Sequence, residues 1–226
     1  MLNQLDSRAL GRANCYAQRF MKAGLYRYNV APAHGQALST DYPFTVRVEE
    51  SGKKTDMAQH SLHVSQQGKK FVVENANVTI KVGDMVVWNG GSGALTPFAV
   101  VGEDDFFSSY RMVNECGFSH AFGAAGEYHW VDAHGSSLSG IVRVRNPECS
   151  SGEQLKRWRQ SLAEGALVMI ADGKPDQGEV DIVIGQTVFF AIVKGPGISI
   201  TDVRLLDIPA TRGECSDRGN NATSHR

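Results

Sequence analysis

The four cysteines, Cys15, Cys116, Cys149 and Cys215, stand too far apart for a CxxC pair, which gives zinc-ribbon and dithiol redox chemistry no foothold. No apolar run approaches the roughly 18 residues of a membrane helix, so no membrane span is expected. The first residues, Met1-Leu-Asn-Gln-Leu-Asp-Ser-Arg8, lack the basic-then-apolar pattern of an export signal, and the compartment is left open. Neither charge is in excess. Lys+Arg 23 against Asp+Glu 24 give a net charge of -1, which removes the basic field that nucleic-acid binding needs. A Gly-x-Ser-x-Gly elbow is also missing, so hydrolase chemistry has no anchor.

What is present is ordinary globular material, 42% hydrophobic and 21% charged, with 24 glycines among 226 residues. That glycine share, above the usual ~7%, goes with Val, Ile and Thr runs and predicts a turn-rich all-β protein. In Phe71 to Trp88 the apolar residues Val78, Ile80 and Val82 alternate before Gly83-Asp84 turns the chain. Pro97 to Val101, Phe118 to Phe122, Gly126 to Trp130 and Gly140 to Arg145 read as further short strands. Glu103-Asp-Asp105 reads as a solvated turn, since three adjacent acids lack the alternating spacing of a calcium loop. Residues 151–164 break the pattern: Leu155, Trp158 and Leu162 share a helical face behind a Ser151 N-cap. This predicts a short linker helix.

The chain repeats itself. Val78-Thr-Ile-Lys-Val-Gly-Asp-Met-Val-Val-Trp88 matches Val180-Asp-Ile-Val-Ile-Gly-Gln-Thr-Val-Phe-Phe190, so Gly83 and Gly185 stand 102 residues apart. Phe20 to Tyr28 matches Phe122 to Trp130 at the same spacing, and Thr45-Val-Arg-Val48 echoes Ile141-Val-Arg-Val144. Only 60–150 contains the whole unit, whereas 1–50 and 165–215 carry one half each. Half a sandwich leaves an apolar face and open edges in water. The expectation is therefore a complete central domain, 60–150, inserted into a discontinuous one in which 165–215 completes 1–50. The competing expectation is exchange of halves between chains, giving a domain-swapped homo-oligomer. Cys15 and Cys215 both align with Cys116, which predicts that they lie near one another, either free or, in an oxidising compartment, joined by a disulfide. Residues 216–226 read as a mobile tail, and 51–59 as a polar linker.

The stretch Phe71 to Arg145 resembles a cupredoxin, the plastocyanin-like family of Greek-key β-sandwiches. Val78 to Asn89, Gly126-Glu-Tyr-His-Trp130, and His134 followed by Gly140-Ile-Val-Arg-Val144 carry the resemblance. It implies two cupredoxin-like Greek-key sandwiches, one of them discontinuous. It also implies a mononuclear copper held by two His, one Cys and an axial Met. The ligand positions are not kept. The first-His window, Leu95 to Ala99, holds no His, Asp132 occupies the Cys place, and only Leu138 or Ser139 is available as axial ligand. His134 alone matches, and Tyr28 to His34 likewise keeps a His and lacks the Cys.

Without the thiolate, no type 1 copper site is expected. Asp132, His134, His129 and His120 are the dense group of potential ligands, with Asp132 and His134 the metal candidates. Their alternative role is a turn cap and a loop hydrogen bond. Trp88, Phe98, Phe122, Tyr128 and Trp130 read as core. The sequence thus points to a non-enzymatic binding or assembly module whose partner is another protein or a second copy. A copper-binding electron-transfer or copper-handling protein with unconventional ligands is the alternative.

Overall fold

Alternation decides the strands. Phe44, Val46 and Val48 are buried while Arg47 and Glu49 face water, and Val188, Phe190 and Ile192 are buried in the same way. The turn that repeats in sequence is one device built twice. Gly83 (φ +98°) and Gly185 (φ +91°) adopt the left-handed conformation that glycine reaches at least cost. The following side chain ties each turn down. Asp84 accepts the Lys81 and Ala58 N–H groups, both at 3.0 Å, and Gln186 Oε1 accepts the Val183 N–H at 2.9 Å.

The computed structural model describes residues 4–33, 41–51, 57–91, 93 and 95–206. Within these the chain is all-β with a single α-helix. The strands are β1 (Asn14–Arg19), β2 (Gly24–Pro32), β3 (Phe44–Glu49), β4 (Gln59–Gln67), β5 (Lys70–Val73), β6 (Val78–Lys81), β7 (Met85–Gly90) and β8 (Phe98–Gly102). They continue as β9 (Met112–Ala121), β10 (Gly126–Val131), β11 (Ser139–Arg145), α1 (Gly152–Ser161), β12 (Gly165–Ala171), β13 (Lys174–Pro175), β14 (Glu179–Val183), β15 (Thr187–Ile198) and β16 (Thr201–Asp202). An eight-stranded sheet runs β13-β12-β15-β9-β1-β7-β4-β5. Two four-stranded sheets, β6-β3-β2-β8 and β14-β11-β10-β16, each face one half of it.

Aromatic rings fill both interiors. Tyr28 of β2 meets Trp88 of β7 at 5.3 Å between centroids, and Trp88 meets Phe107 at 5.6 Å. In the second half Trp130 of β10 meets Phe190 of β15 at 5.4 Å. Burying each such ring contributes about 1.5–3 kcal/mol; of the aromatic residues that the sequence suggested as core, Trp88, Phe98, Phe122 and Trp130 are buried and Tyr128 is half-buried.

The domain division differs from expectation. Strands β1, β2 and β3 hydrogen-bond with β7, β8 and β6, all from 59–102. Strands β9, β10 and β11 take β15, β16 and β14. The central segment 60–150 is therefore shared between two sandwiches, each made of consecutive strands, and residues 165–206, the described part of 165–215, do not complete 1–50. Gly24 and Gly185 lie in different sandwiches. Both pairings bury the same residue types, because β1–β3 and β9–β11 are repeats of one another. The observed pairing closes shorter loops, each doubling of loop length costing about 0.6 kcal/mol. It also lets β1 pair with β9, Cys15 opposite Ser119, which removes two sheet edges.

Among the described residues the two ends of the chain meet through residues 5–7 and 199–202: the Ser7 N–H donates to the Ile200 carbonyl at 2.9 Å. Cys15 is a free thiol whose Sγ lies 2.8 Å from Ser119 Oγ, while Cys215, His34 and the tail 216–226 fall outside the described residues. The expected helix forms, closed by a Ser151–Gln154 capping box. It lies within the second sandwich, between β11 and β12, and does not link two domains. Its Trp158 Nε1 donates to the Ile184 carbonyl at 2.9 Å, which pins its half-buried face to the turn before Gly185.

Candidate functional site

Asp132 follows β10 and is buried, 6% exposed. Its Oδ1 accepts the Ser199 N–H at 2.9 Å and the His134 N–H at 3.0 Å, and its Oδ2 accepts the Ser136 N–H at 3.1 Å. Burial alone would raise the carboxyl pKa. The N–H bonds from Ser199, His134 and Ser136 outweigh it and hold the group below its ordinary value. A carboxylate with both oxygens so occupied organises a loop.

His134 turns elsewhere. Its Nε2 lies 2.9 Å from the Tyr110 carbonyl oxygen. A carbonyl only accepts, so Nε2 carries the ring proton. Asp132 thus holds the main chain of His134, while the imidazole closes the loop onto Tyr110. The other two candidates lie apart from this loop: His129 Nε2 is 3.6 Å from Glu127 on the surface, and His120 lies inside β9. Among the described residues no group of three or more His, Cys, Asp or Glu could hold a metal ion. Burial pushes the Cys116 thiol up to about 12, so it supplies no thiolate. The residues present do not fit a cupredoxin copper. Ser136 is likewise engaged in the loop, its Oγ accepting the Leu138 N–H at 3.3 Å.

His120 has a different role from the one its place among the ligands suggested. It is fully buried where β9 meets β1, opposite Asn14. Asn14 Oδ1 already accepts the Gly11 N–H at 2.9 Å, so the Asn14 amide donates to His120 Nδ1 at 2.8 Å. The remaining proton sits on Nε2, which has no hydrogen-bond partner among the described residues. Burial lowers the imidazole pKa to about 4, against the opposing pull of Asp202. The ring packs edge-on against Phe122 at 4.5 Å between centroids. The signal was legible in Phe118-Ser-His-Ala-Phe122, where strand alternation puts the histidine on the apolar face.

The surface feature that sequence reasoning did not find is the outward face of the eight-stranded sheet. Register aligns Leu167, Phe189, Ser119, Cys15, Asn89 and His63 in one row. The second sandwich contributes the apolar end of that row and the first the polar end. In the next row Met169 and Ala191 lie across from Val87 and Ser61, with Ala17 and Gly117 between. Leu167 and Met169 are 47% and 44% exposed, and Val193 nearby is 48% exposed. The Phe189 ring covers Gly117, where a Cβ would stand 2.3 Å from it. The adjoining β12 edge is closed: Met169 N–H donates to Asp176 Oδ1 at 2.9 Å and its carbonyl accepts the Asp176 N–H at 2.8 Å. Gln177 Nε2 bonds the Leu167 carbonyl. The edge is blocked against strand addition while the face stays open. Clefts elsewhere are open to solvent, such as one of about 400 Å³ bordered by His129, Ile141 and Val203.

No protein-family model matches the chain, and neither a curated protein nor a solved structure matches it.

Proposed function

We propose that this chain is a non-enzymatic, cupredoxin-like binding or assembly module. Its two Greek-key sandwiches carry other residues at the copper-ligand positions. The order in which each repeat crosses between its sheets supports the fold reading. β1 lies in the large sheet, β2 and β3 in the small one, β4 and β5 in the large, then β6, β7 and β8 alternate. The parallel pairs β4–β7 and β3–β6 recur as β12–β15 and β11–β14. The saturated carboxylate of Asp132 and the engaged ring of His134 support the absence of metal and acid–base roles.

The observation that carries the reading is the apolar outward face around Leu167, Met169 and Phe189. Contiguous exposed apolar surface on a soluble fold marks an interaction site. The partner is a second copy. A net charge of -1 gives no electrostatic selection for another class of surface, and two flat apolar sheet faces pack on each other as the inner faces of a sandwich do, about 10 Å apart. Sedimentation velocity across a concentration series tests this. The wild-type chain self-associates, while Met169→Glu and Leu167→Lys stay monomeric with unchanged thermal unfolding. A wild-type chain that stays monomeric throughout would overturn the reading. Copper titration adds an independent check: no intense visible absorption band is expected, and its appearance would favour a copper protein.

A further inference from the structure

The residues ahead of β1 do not stay with the sandwich that β1 builds. Leu10 bridges Phe98 of the first repeat. Upstream of it, the Ser7 N–H donates to the Ile200 carbonyl at 2.9 Å, Ile200 N–H donates to Ser7 Oγ at 3.1 Å, and Asp202 N–H donates to the Leu5 carbonyl at 2.8 Å. The same three bonds recur in the other direction. Ser109 N–H donates to the Val100 carbonyl at 3.0 Å, Val100 N–H donates to Ser109 Oγ at 3.1 Å, and Gly102 N–H donates to the Phe107 carbonyl at 2.8 Å. Each repeat therefore lends its leader to the other: residues 5–7 close the second sandwich and 107–109 close the first. Leu5 and Phe107 are the apolar plugs, each 1% exposed. The first leader also carries its own counter-charge, because Arg8 clasps the buried Asp6 carboxylate at 2.9 and 3.1 Å.

We propose that residues 5–7 form an exchangeable strap, and that the partner it fits is a second copy of this chain. The 199–202 edge already accepts a segment delivered from outside its own sandwich. The strap's bonds run to main-chain groups and to short side chains, and Thr201 Oγ1 is 3.3 Å from Asp6. A second copy offers the identical segment, so transfer keeps every bond and changes only the tether. Two reciprocal transfers give a closed twofold dimer. In one chain the short tether to β1 holds the strap at an effective concentration on the order of mM. Exchange therefore becomes visible when chains refold together near that concentration.

A fluorescent peptide spanning residues 1–12, titrated onto the full chain, tests the acceptor. The double variant Leu5→Asp/Ser7→Pro binds the peptide at least about tenfold more tightly than wild type, because its own strap no longer competes. Ser109→Ala, which touches the other leader, binds like wild type. If the double variant does not fold, Ser7→Ala takes its place with a smaller tightening. Native mass spectrometry then tests the partner. Met169→Glu chain, whose apolar face no longer associates, stays monomeric when kept folded but yields, on refolding at ~1 mM, a dimer that excess peptide suppresses. Equal peptide binding by all folded variants overturns the proposal. So does refolded Met169→Glu chain that gives no dimer, or only one that ignores the peptide, which would assign association to the apolar face alone.

Discussion

The two repeats keep the same turns, the same strand pairings and the same leader bonds, yet differ wherever these do not constrain them. The first puts Tyr28 and Trp88 in its interior where the second puts Trp130 and Phe190, and both pairs are fully buried. At the seam the first places Gln18 where the second places His120, each on the inward face of its strand. On the outside the first presents Ser61, His63 and Asn89, and the second Leu167, Met169 and Phe189. Backbone bonds and turn chemistry hold the architecture. Side chains that only fill volume drift within the apolar class, and an outward face is free to become polar or adhesive.

The largest effect should come from breaking either interior. Trp88→Ala and Trp130→Ala should each cost about 3–5 kcal/mol, read from the urea midpoint. The shared eight-stranded sheet predicts that either variant lowers the stability of both halves together. Separate transitions for the two sandwiches would show that the β1–β9 pairing couples them weakly.

The seam gives the next largest effect, and its sign follows from burial. His120 has a folded-state pKa of about 4, below the ordinary value of about 6.5. The unfolded chain therefore takes up the proton first. Stability is complete above pH ~6.5 and falls as the pH drops toward ~4, by roughly 3 kcal/mol in all. The depressed carboxyls of Asp132 and Asp202 act in the same direction but at lower pH, where their own protonation begins. His120→Gln copies the first repeat and should flatten the stability profile between pH 6.5 and 4, leaving the steeper loss below. A profile that stays steep in that window would assign the acid sensitivity elsewhere.

The repeat, the strand-rich fold, the helix and most of the core were legible in the sequence because each rests on local chemistry. Gly83-Asp84 and Gly185-Gln186 announce their turns, Ser151 and Gln154 announce a helix start, and alternation in 44–48 announces a strand. The partner of each strand was not legible. β1 and β9 carry interchangeable patterns, so the halves could be joined in two ways, and loop closure together with the β1–β9 pairing decides between them. The roles of Asp132 and His134 were hidden for a related reason: one carboxylate contact comes from Ser199 and the imidazole contact from Tyr110, both distant in sequence.

A smaller effect separates the repeats at their sheet crossings. Ser151 caps α1 in the second repeat, where Gln154 N–H donates to Ser151 Oγ at 3.2 Å. Ser151→Ala should cost about 1 kcal/mol and leave the first sandwich untouched in hydrogen exchange. Loss of protection in β1 to β8 would contradict that local reading.

The joining of the two sandwiches through β1 and β9 is tested most directly by a cross-link. Cys15 faces Ser119 with 2.8 Å between their side-chain heteroatoms, so Ser119→Cys places two thiols opposite one another. Mild oxidation of the monomer, followed by peptide mapping, should recover residues 15 and 119 joined within one chain. No intramolecular link to position 119 would contradict the continuous eight-stranded sheet.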